Sequence, residues 1–160
     1  MELAFGFGPR PVYDPSPRAA RGYVATVTAM STPPSVLIVD DEPNIVLSLQ
    51  FLMKKTGFDV RTAKDGEEAL AEISRATPDL VLLDVMMPKI DGFSICQQIR
   101  ANPEWKDMRI IMLTARGRDV EREKGLALGA DDYITKPFST KDAIARVEAV
   151  LARPRRSEGQ

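Results

Sequence analysis

From Val36 onward, short apolar runs alternate with longer segments in which apolar residues return every three or four positions. The runs Val36-Leu37-Ile38-Val39, Leu80-Val81-Leu82-Leu83 and Ile110-Ile111-Met112-Leu113 have no polar alternation. That predicts strands covered on both faces, the habit of a parallel sheet. Asp59 to Thr62 and Tyr133-Ile134-Thr135 complete five predicted strands. The first helical segment follows Glu42-Pro43, sets Ile45, Leu49, Leu52 and Met53 on one face and stops at Gly57, a residue suited to a C-terminal cap. A second covers about 66–76 with Ala69, Leu70 and Ile73 inward, and Pro78 closes it. A third carries Ile95 and Ile99 one turn apart and ends at Asn102-Pro103. A polar fourth covers about 118–128 with Gly129 as its stop, and a fifth buries Ile144, Val147 and Leu151. Five βα units predict a doubly wound parallel α/β sheet, whose right-handed crossovers put helices on both faces and whose ligands bind beyond the carboxyl ends of the strands.

Polar residues stand at those carboxyl ends. Asp40-Asp41, Asp84, Thr114 and Lys136 each follow an apolar run, so a parallel sheet brings all of them to one edge. Three aspartates packed together raise one another's pKa unless a cation shares them. Carboxylate and carbonyl oxygens with water are the ligands Mg²⁺ prefers. An aspartate can also act as the nucleophile of phosphoryl transfer, with metal and lysine neutralising the transferring oxygens. Taken singly, each landmark has an ordinary reading: Asp-Asp before proline as a helix start, Lys136-Pro137 as a turn. Their joint occurrence after four apolar runs is what points to a site.

Composition narrows the setting. A chain of 160 residues, 44% hydrophobic and 28% charged, suits one globular domain. Residues 1–34 hold six prolines, three glycines and no sustained period, and read as a disordered leader. Met30 stands just before the ordered pattern, so an upstream start or a cloning artefact is as good a reading of that leader as a functional extension. Residues 153–160 read as a flexible basic tail. Between them, 16 Lys or Arg face 20 Asp or Glu, which is not the basic field of a nucleic-acid binder. The lone Cys96 fits a reducing compartment and a partly buried helix position. No apolar stretch is long enough for a membrane span and no secretory signal opens the chain, so the expected location is cytoplasmic. The chain has no histidine, so it is neither a histidine kinase nor a phosphohistidine carrier, and a phosphoryl group must come from outside. Met53, Met86, Met87 and Met112 fall in different elements and read as core filling, and Trp105 as packing over a helix end.

The segments 36–43 (Val-Leu-Ile-Val-Asp-Asp-Glu-Pro), 82–88 (Leu-Leu-Asp-Val-Met-Met-Pro) with Asp91-Gly92, Leu113-Thr114-Ala115, and 129–138 (Gly-Ala-Asp-Asp-Tyr-Ile-Thr-Lys-Pro-Phe) resemble the receiver domain of two-component response regulators, in its order and spacing, over about 35–152. The resemblance implies a flavodoxin-like fold with strand order 2-1-3-4-5. It implies that Asp84 is the phosphoacceptor, and that Asp40, Asp41, Asp84 and the backbone carbonyl of Met86 bind Mg²⁺. Thr114 and Lys136 would bind the phosphoryl group, Tyr133 would follow Thr114 inward, and the Lys136-Pro137 peptide would be cis. Met86 and Arg116, two positions past Asp84 and Thr114, flank the expected path of the attacking water and are expected to tune dephosphorylation.

The implied role is a phosphorylation switch, without enzymatic activity beyond its own phosphorylation and dephosphorylation on Asp84. Its implied partners are a sensor histidine kinase or histidine phosphotransfer protein and a downstream protein target met by the surface of helix four, strand five and helix five. No direct nucleic-acid or membrane contact is expected of a monomer that dimerises, if at all, when phosphorylated. Two alternatives stand beside it. One is the receiver portion of a longer DNA-binding transcriptional regulator. The weaker is an aspartyl-phosphate phosphatase, which wants a second Asp two residues after the first, where this chain has Met86.

Overall fold

The computed structural model describes residues 32–115 and 117–155. Residues 1–31 of the expected leader, Arg116 and residues 156–160 of the expected tail lie outside the described residues.

Five parallel strands form one sheet: β1 (Ser35–Val39), β2 (Asp59–Ala63), β3 (Leu80–Asp84), β4 (Arg109–Ala115) and β5 (Asp132–Lys136). Their spatial order is β2-β1-β3-β4-β5. The helices that join or follow them are α1 (Pro43–Thr56), α2 (Gly66–Arg75), α3 (Gly92–Ala101), α4 (Asp119–Ala127) and α5 (Thr140–Leu151), with a 3₁₀ turn at Pro103–Trp105. The fold is the expected flavodoxin-like α/β arrangement.

The pleat sends successive side chains of a strand to opposite faces, and two cores result. Leu37, Val39, Val81, Leu83, Ile110 and Met112 pack under α2, α3 and α4 with Ala69, Ile73, Ile95 and Ile99. Val36, Ile38, Leu80, Leu82, Ile111, Leu113 and Ile134 pack under α1 and α5 with Leu49, Met53, Ala143 and Val147. Every residue of β3 is buried, which is why its sequence is apolar without alternation up to Asp84.

Local signals explain the helix ends. Asp65, Asp91 and Ser139 accept hydrogen bonds from the backbone N–H of Glu68, Ser94 and Asp142, capping α2, α3 and α5. Gly57 ends α1 at φ +107°, a left-handed conformation that a Cβ would strain.

Three packing expectations need correction. The buried residues of α5 are Ala143, Val147 and Val150, with Ile144 and Leu151 partly buried at the margin, because residues four and then three positions apart share the helix face that meets the core. Cys96 is wholly rather than partly buried, with Sγ 3.8 Å from the Leu128 carbonyl oxygen. Met86 is 62% exposed and fills no core, since the chain has left the sheet by that point. Met53 and Met112 are buried as expected, and Trp105 packs partly buried against the α3 side of the core.

Candidate functional site

The four strand ends converge. Val39 of β1 lies opposite Leu83 of β3, so Asp40 and Asp84 follow side by side. On the other side, Thr114 pairs with Thr135 and Ala115 with Lys136. One carboxylate oxygen each from Asp40, Asp41 and Asp84 lies within 4.8 Å of the others, with Asp40 and Asp84 buried and Asp41 exposed.

Lys136 reaches into this cluster from β5. Its Nζ is 2.8 Å from Asp40 Oδ2, 3.0 Å from Glu42 Oε1 and 3.4 Å from Asp84 Oδ1. The second oxygen of Asp40 accepts the Glu42 N–H at 2.9 Å, and Asp84 Oδ1 accepts the Met86 N–H at 3.3 Å. The Lys136 ammonium therefore faces three carboxylates, and the deficit shows in the proton affinities. Burial, then the neighbouring charge of Asp40, pushes the Asp84 carboxyl up to about 7, with Lys136 and the Met86 N–H pulling the other way. For Lys136, burial favours the neutral amine. Hydrogen bonds to Asp40 and Glu42 and the charges of Asp84 and Asp40 overcome it and hold the ammonium above the usual lysine range.

The Thr114 hydroxyl is buried on the same edge and has no hydrogen-bond partner among the described residues. A buried hydroxyl without a partner costs about 1–3 kcal/mol. An acceptor arriving within hydrogen-bond reach removes that cost.

The loop after β3 is fixed from below. A Cβ at Gly92 would stand 2.3 Å from the Asp84 carbonyl oxygen, so the start of α3 presses directly on the backbone of Asp84. The Gly92 N–H donates to the Val85 carbonyl at 3.0 Å, closing the turn that presents the carboxylate. The Lys136-Pro137 peptide is cis, as the motif implies.

Tyr133 lies half-buried between α4 and α5. The Arg122 guanidinium stands 4.7 Å and that of Arg146 5.1 Å from its ring centroid, one cation–π contact from each helix. Arg146 is in turn held by Asp132 at 3.1 Å and Asp142 at 3.2 Å. Arg116 is outside the described residues.

The predicted residues Asp40, Asp41 and Asp84 are thus in mutual reach and Lys136 contacts Asp40 and Asp84, with Thr114 on the same edge. Sequence reasoning missed two contacts, the Glu42 carboxylate on Lys136 and the arginine pair on Tyr133. Glu42 carried a weak signal, standing directly after Asp-Asp where it reads as a helix start. The arginines carried none, because their ring contact depends on how two helices pack against β5.

The donor set tests whether a metal fits. It consists of oxygens only, and it includes a buried carboxylate whose proton affinity is raised by a neighbouring carboxylate, the excess negative charge a hard divalent cation relieves. A polar cleft near Asp79, Glu104 and Arg109 lies at the opposite, amino-terminal ends of β3 and β4 and takes no part in this site.

The sequence profile of the response regulator receiver domain matches residues 36–148. The chain is 50% identical over 118 residues to the alkaline phosphatase synthesis transcriptional regulatory protein PhoP of Bacillus subtilis, covering 74% of this chain and 48% of that protein. It is 48% identical over 119 residues to the sensory transduction protein RegX3 of Mycobacterium tuberculosis, covering 74% and 51%. The chain thus spans about half the length of these curated relatives. Among solved structures, it is similar to a response regulator from Chloroflexus aurantiacus, with a TM-score of 0.74, 39% identity and coverage of 76% of this chain and all of that one. It is also similar to the chemotaxis protein CheY4 of Vibrio cholerae, with a TM-score of 0.70, 32% identity and coverage of 74% and 99%. With a matching profile over most of its length and the fold and edge geometry described above, the chain belongs to the response regulator receiver domain family.

Proposed function

We propose that residues 35–152 act as a phosphorylation switch in which Asp84 takes a phosphoryl group from the phosphohistidine of a sensor histidine kinase or histidine phosphotransfer protein. An Asp84 carboxylate oxygen attacks phosphorus, the donor's P–N bond breaks, and the leaving imidazole keeps the electron pair and takes a proton from solvent. The observation that carries this reading is the convergence of Asp40, Asp41 and Asp84 with the Lys136 ammonium 3.4 Å from Asp84 Oδ1.

Asp40, Asp41, Asp84 and the Met86 carbonyl would hold Mg²⁺, which when bound neutralises charge on the transferring oxygens. Lys136 would pair with a phosphoryl oxygen, and Thr114 would donate its unpartnered hydroxyl to another. Movement of Thr114 toward the phosphoryl group would draw Tyr133 inward and change the surface of α4, β5 and α5 that a downstream protein reads. Met86, exposed beside Asp84, and Arg116 would slow the hydrolytic water.

The test is incubation with Mg²⁺ and acetyl phosphate followed by intact mass. One added phosphate is expected on the wild type and none on Asp84→Asn. A wild type that stays unmodified under conditions where a control receiver is labelled refutes the reading.

A second reading rests on the coverage of the relatives, which are transcriptional regulators about twice the matched length. In it, this receiver is the input half of a DNA-binding regulator. The reading frame beyond Gln160 separates it from a receiver acting through protein contacts alone.

A further inference from the structure

The contact of Glu42 with Lys136 is not needed for helix capping, for metal binding or for accepting the phosphoryl group. Glu42 is the N-cap residue of α1, yet its side chain makes no capping hydrogen bond. Its backbone N–H is bound by Asp40 Oδ1 at 2.9 Å, and its carboxylate turns back to Lys136 Nζ at 3.0 Å. Glu42 is well exposed and stands at the mouth, whereas the Lys136 side chain is only 16% exposed. The ammonium is thereby divided between the floor of the site, where Asp40 and Asp84 lie, and its rim.

We infer that Glu42 is a positioning residue that holds the Lys136 ammonium in the unphosphorylated protein and competes for it with the incoming phosphoryl dianion. This rests on the reading of Asp84 as phosphoacceptor. Room at the ammonium is limited: it has three donors, and oxygens of Asp40, Glu42 and Asp84 already stand within 3.4 Å of Lys136 Nζ, the Glu42 contact with hydrogen-bond geometry. A phosphoryl oxygen can join only if one of them lets go. Glu42 is the partner that can do so most easily, since its charge passes into water on release while Asp40 and Asp84 stay buried. Glu42 therefore raises the barrier to phosphoryl entry and favours the resting state. Removing its charge shifts both toward phosphorylation.

Glu42→Gln is the variant of choice, because it keeps the shape at an exposed cap whose side chain does not support the helix. Phosphorylation of the wild type, Glu42→Gln, Lys136→Gln and the double variant by acetyl phosphate is followed at fixed Mg²⁺, together with their affinity for beryllofluoride. Glu42→Gln is expected to be phosphorylated three- to tenfold faster than the wild type and to bind beryllofluoride more tightly by a similar factor. Its thermal midpoint should stay within about two degrees of the wild type, since an exposed pair contributes little to stability. In the Lys136→Gln background, Glu42→Gln is expected to change neither quantity.

In the metal-free protein, proton exchange of the Lys136 ammonium, read by nitrogen-15 NMR, should quicken at least threefold in Glu42→Gln. This last readout needs no phosphoryl transfer. Unchanged or slower phosphorylation with unchanged ammonium exchange overturns the inference. So does a gain of equal size in the Lys136→Gln background, which would reduce Glu42 to a general repulsion at the mouth. A wild type that takes up no phosphoryl group overturns the reading of Asp84, and this inference with it. A labelled wild type with an indifferent Glu42→Gln overturns this inference alone.

Discussion

Replacing Asp84 with asparagine should stabilise the metal-free protein at alkaline pH. The side chain keeps its shape, and Asn Oδ1 can still accept the Met86 N–H that Asp84 accepts at 3.3 Å. What is lost is a negative charge in a buried place next to Asp40. The Asp84 carboxyl titrates at about 7 in the folded protein against 3.8 when solvated, with burial the first cause. A group whose folded pKa is raised supports folding fully below its unfolded value and loses that support as pH climbs through the folded value. Wild-type stability should therefore decline between about pH 4 and about pH 7 through this residue.

A gap of about three pH units amounts to about 4 kcal/mol at pH 8. Asparagine also deprives Lys136 of its longest ion pair, at 3.4 Å. The net gain expected for Asp84→Asn is then about 1–3 kcal/mol, the lost pair offsetting part of the relief. Urea unfolding at pH 8 in EDTA measures it as a higher midpoint for the variant, while at pH 4 the two proteins should nearly coincide. Adding Mg²⁺ should reverse the order. At a hundred times its dissociation constant, a ligand stabilises the protein that binds it by about 2.7 kcal/mol. A variant no more stable than the wild type at pH 8 in EDTA would refute the argument, because it would mean that the buried charge is already compensated.

Other expectations follow from single contacts. Gly92→Ala puts a methyl 2.3 Å from the Asp84 carbonyl oxygen, so it should lower the urea midpoint by an amount equivalent to about 1–3 kcal/mol and slow phosphorylation by acetyl phosphate. Arg100 donates to the carbonyls of Gly129 and Met108 and to Asp131, joining α3 to the ends of β4 and β5. Arg100→Met should cost about 3–5 kcal/mol in chemical denaturation, since it leaves the Asp131 charge without this partner. The phosphorylated Met86→Ala, Arg116→Ala double variant should lose its phosphate faster than the wild type, read as decay of the added mass.

The fold was legible because its signals were redundant. β3 is buried on both faces, so Leu80 to Leu83 could be nothing but apolar, and the periodic Leu49, Leu52 and Met53 of α1 marked the face beneath. The site was legible for a related reason: in a parallel sheet, position after a strand is position at one edge, so Asp40, Asp84 and Lys136 met without any knowledge of the loops. Sequence failed where a residue's environment is set by another element. Ile144 and Val150 of α5 are both apolar, and only the helix's rotation against the sheet decides that Val150 is the buried one. Met86 has the hydrophobicity of a core residue, and the turn closed by Gly92 puts it in water.

The charge arrangement explains why such a site can be both stable and ready to change. Asp40, Asp84 and Glu42 bring three carboxylates around the ammonium of Lys136, with Asp41 beside Asp40 and Asp84. A deficit of this kind in an exposed patch would be relaxed by water and by salt within about 10 Å. Here Asp40, Asp84 and Thr114 are buried, so the imbalance is retained as raised proton affinity and an unpartnered hydroxyl. A divalent cation reduces the first, and a phosphoryl oxygen within reach of Thr114 answers the second. Converting the Asp84 carboxylate to an acyl phosphate also raises its charge from one to about two negative units, for which Lys136 must leave a weaker claimant. The same side chains that make the resting pocket uncomfortable thus make the modified one better matched. This is the differential interaction that a population shift between two states requires.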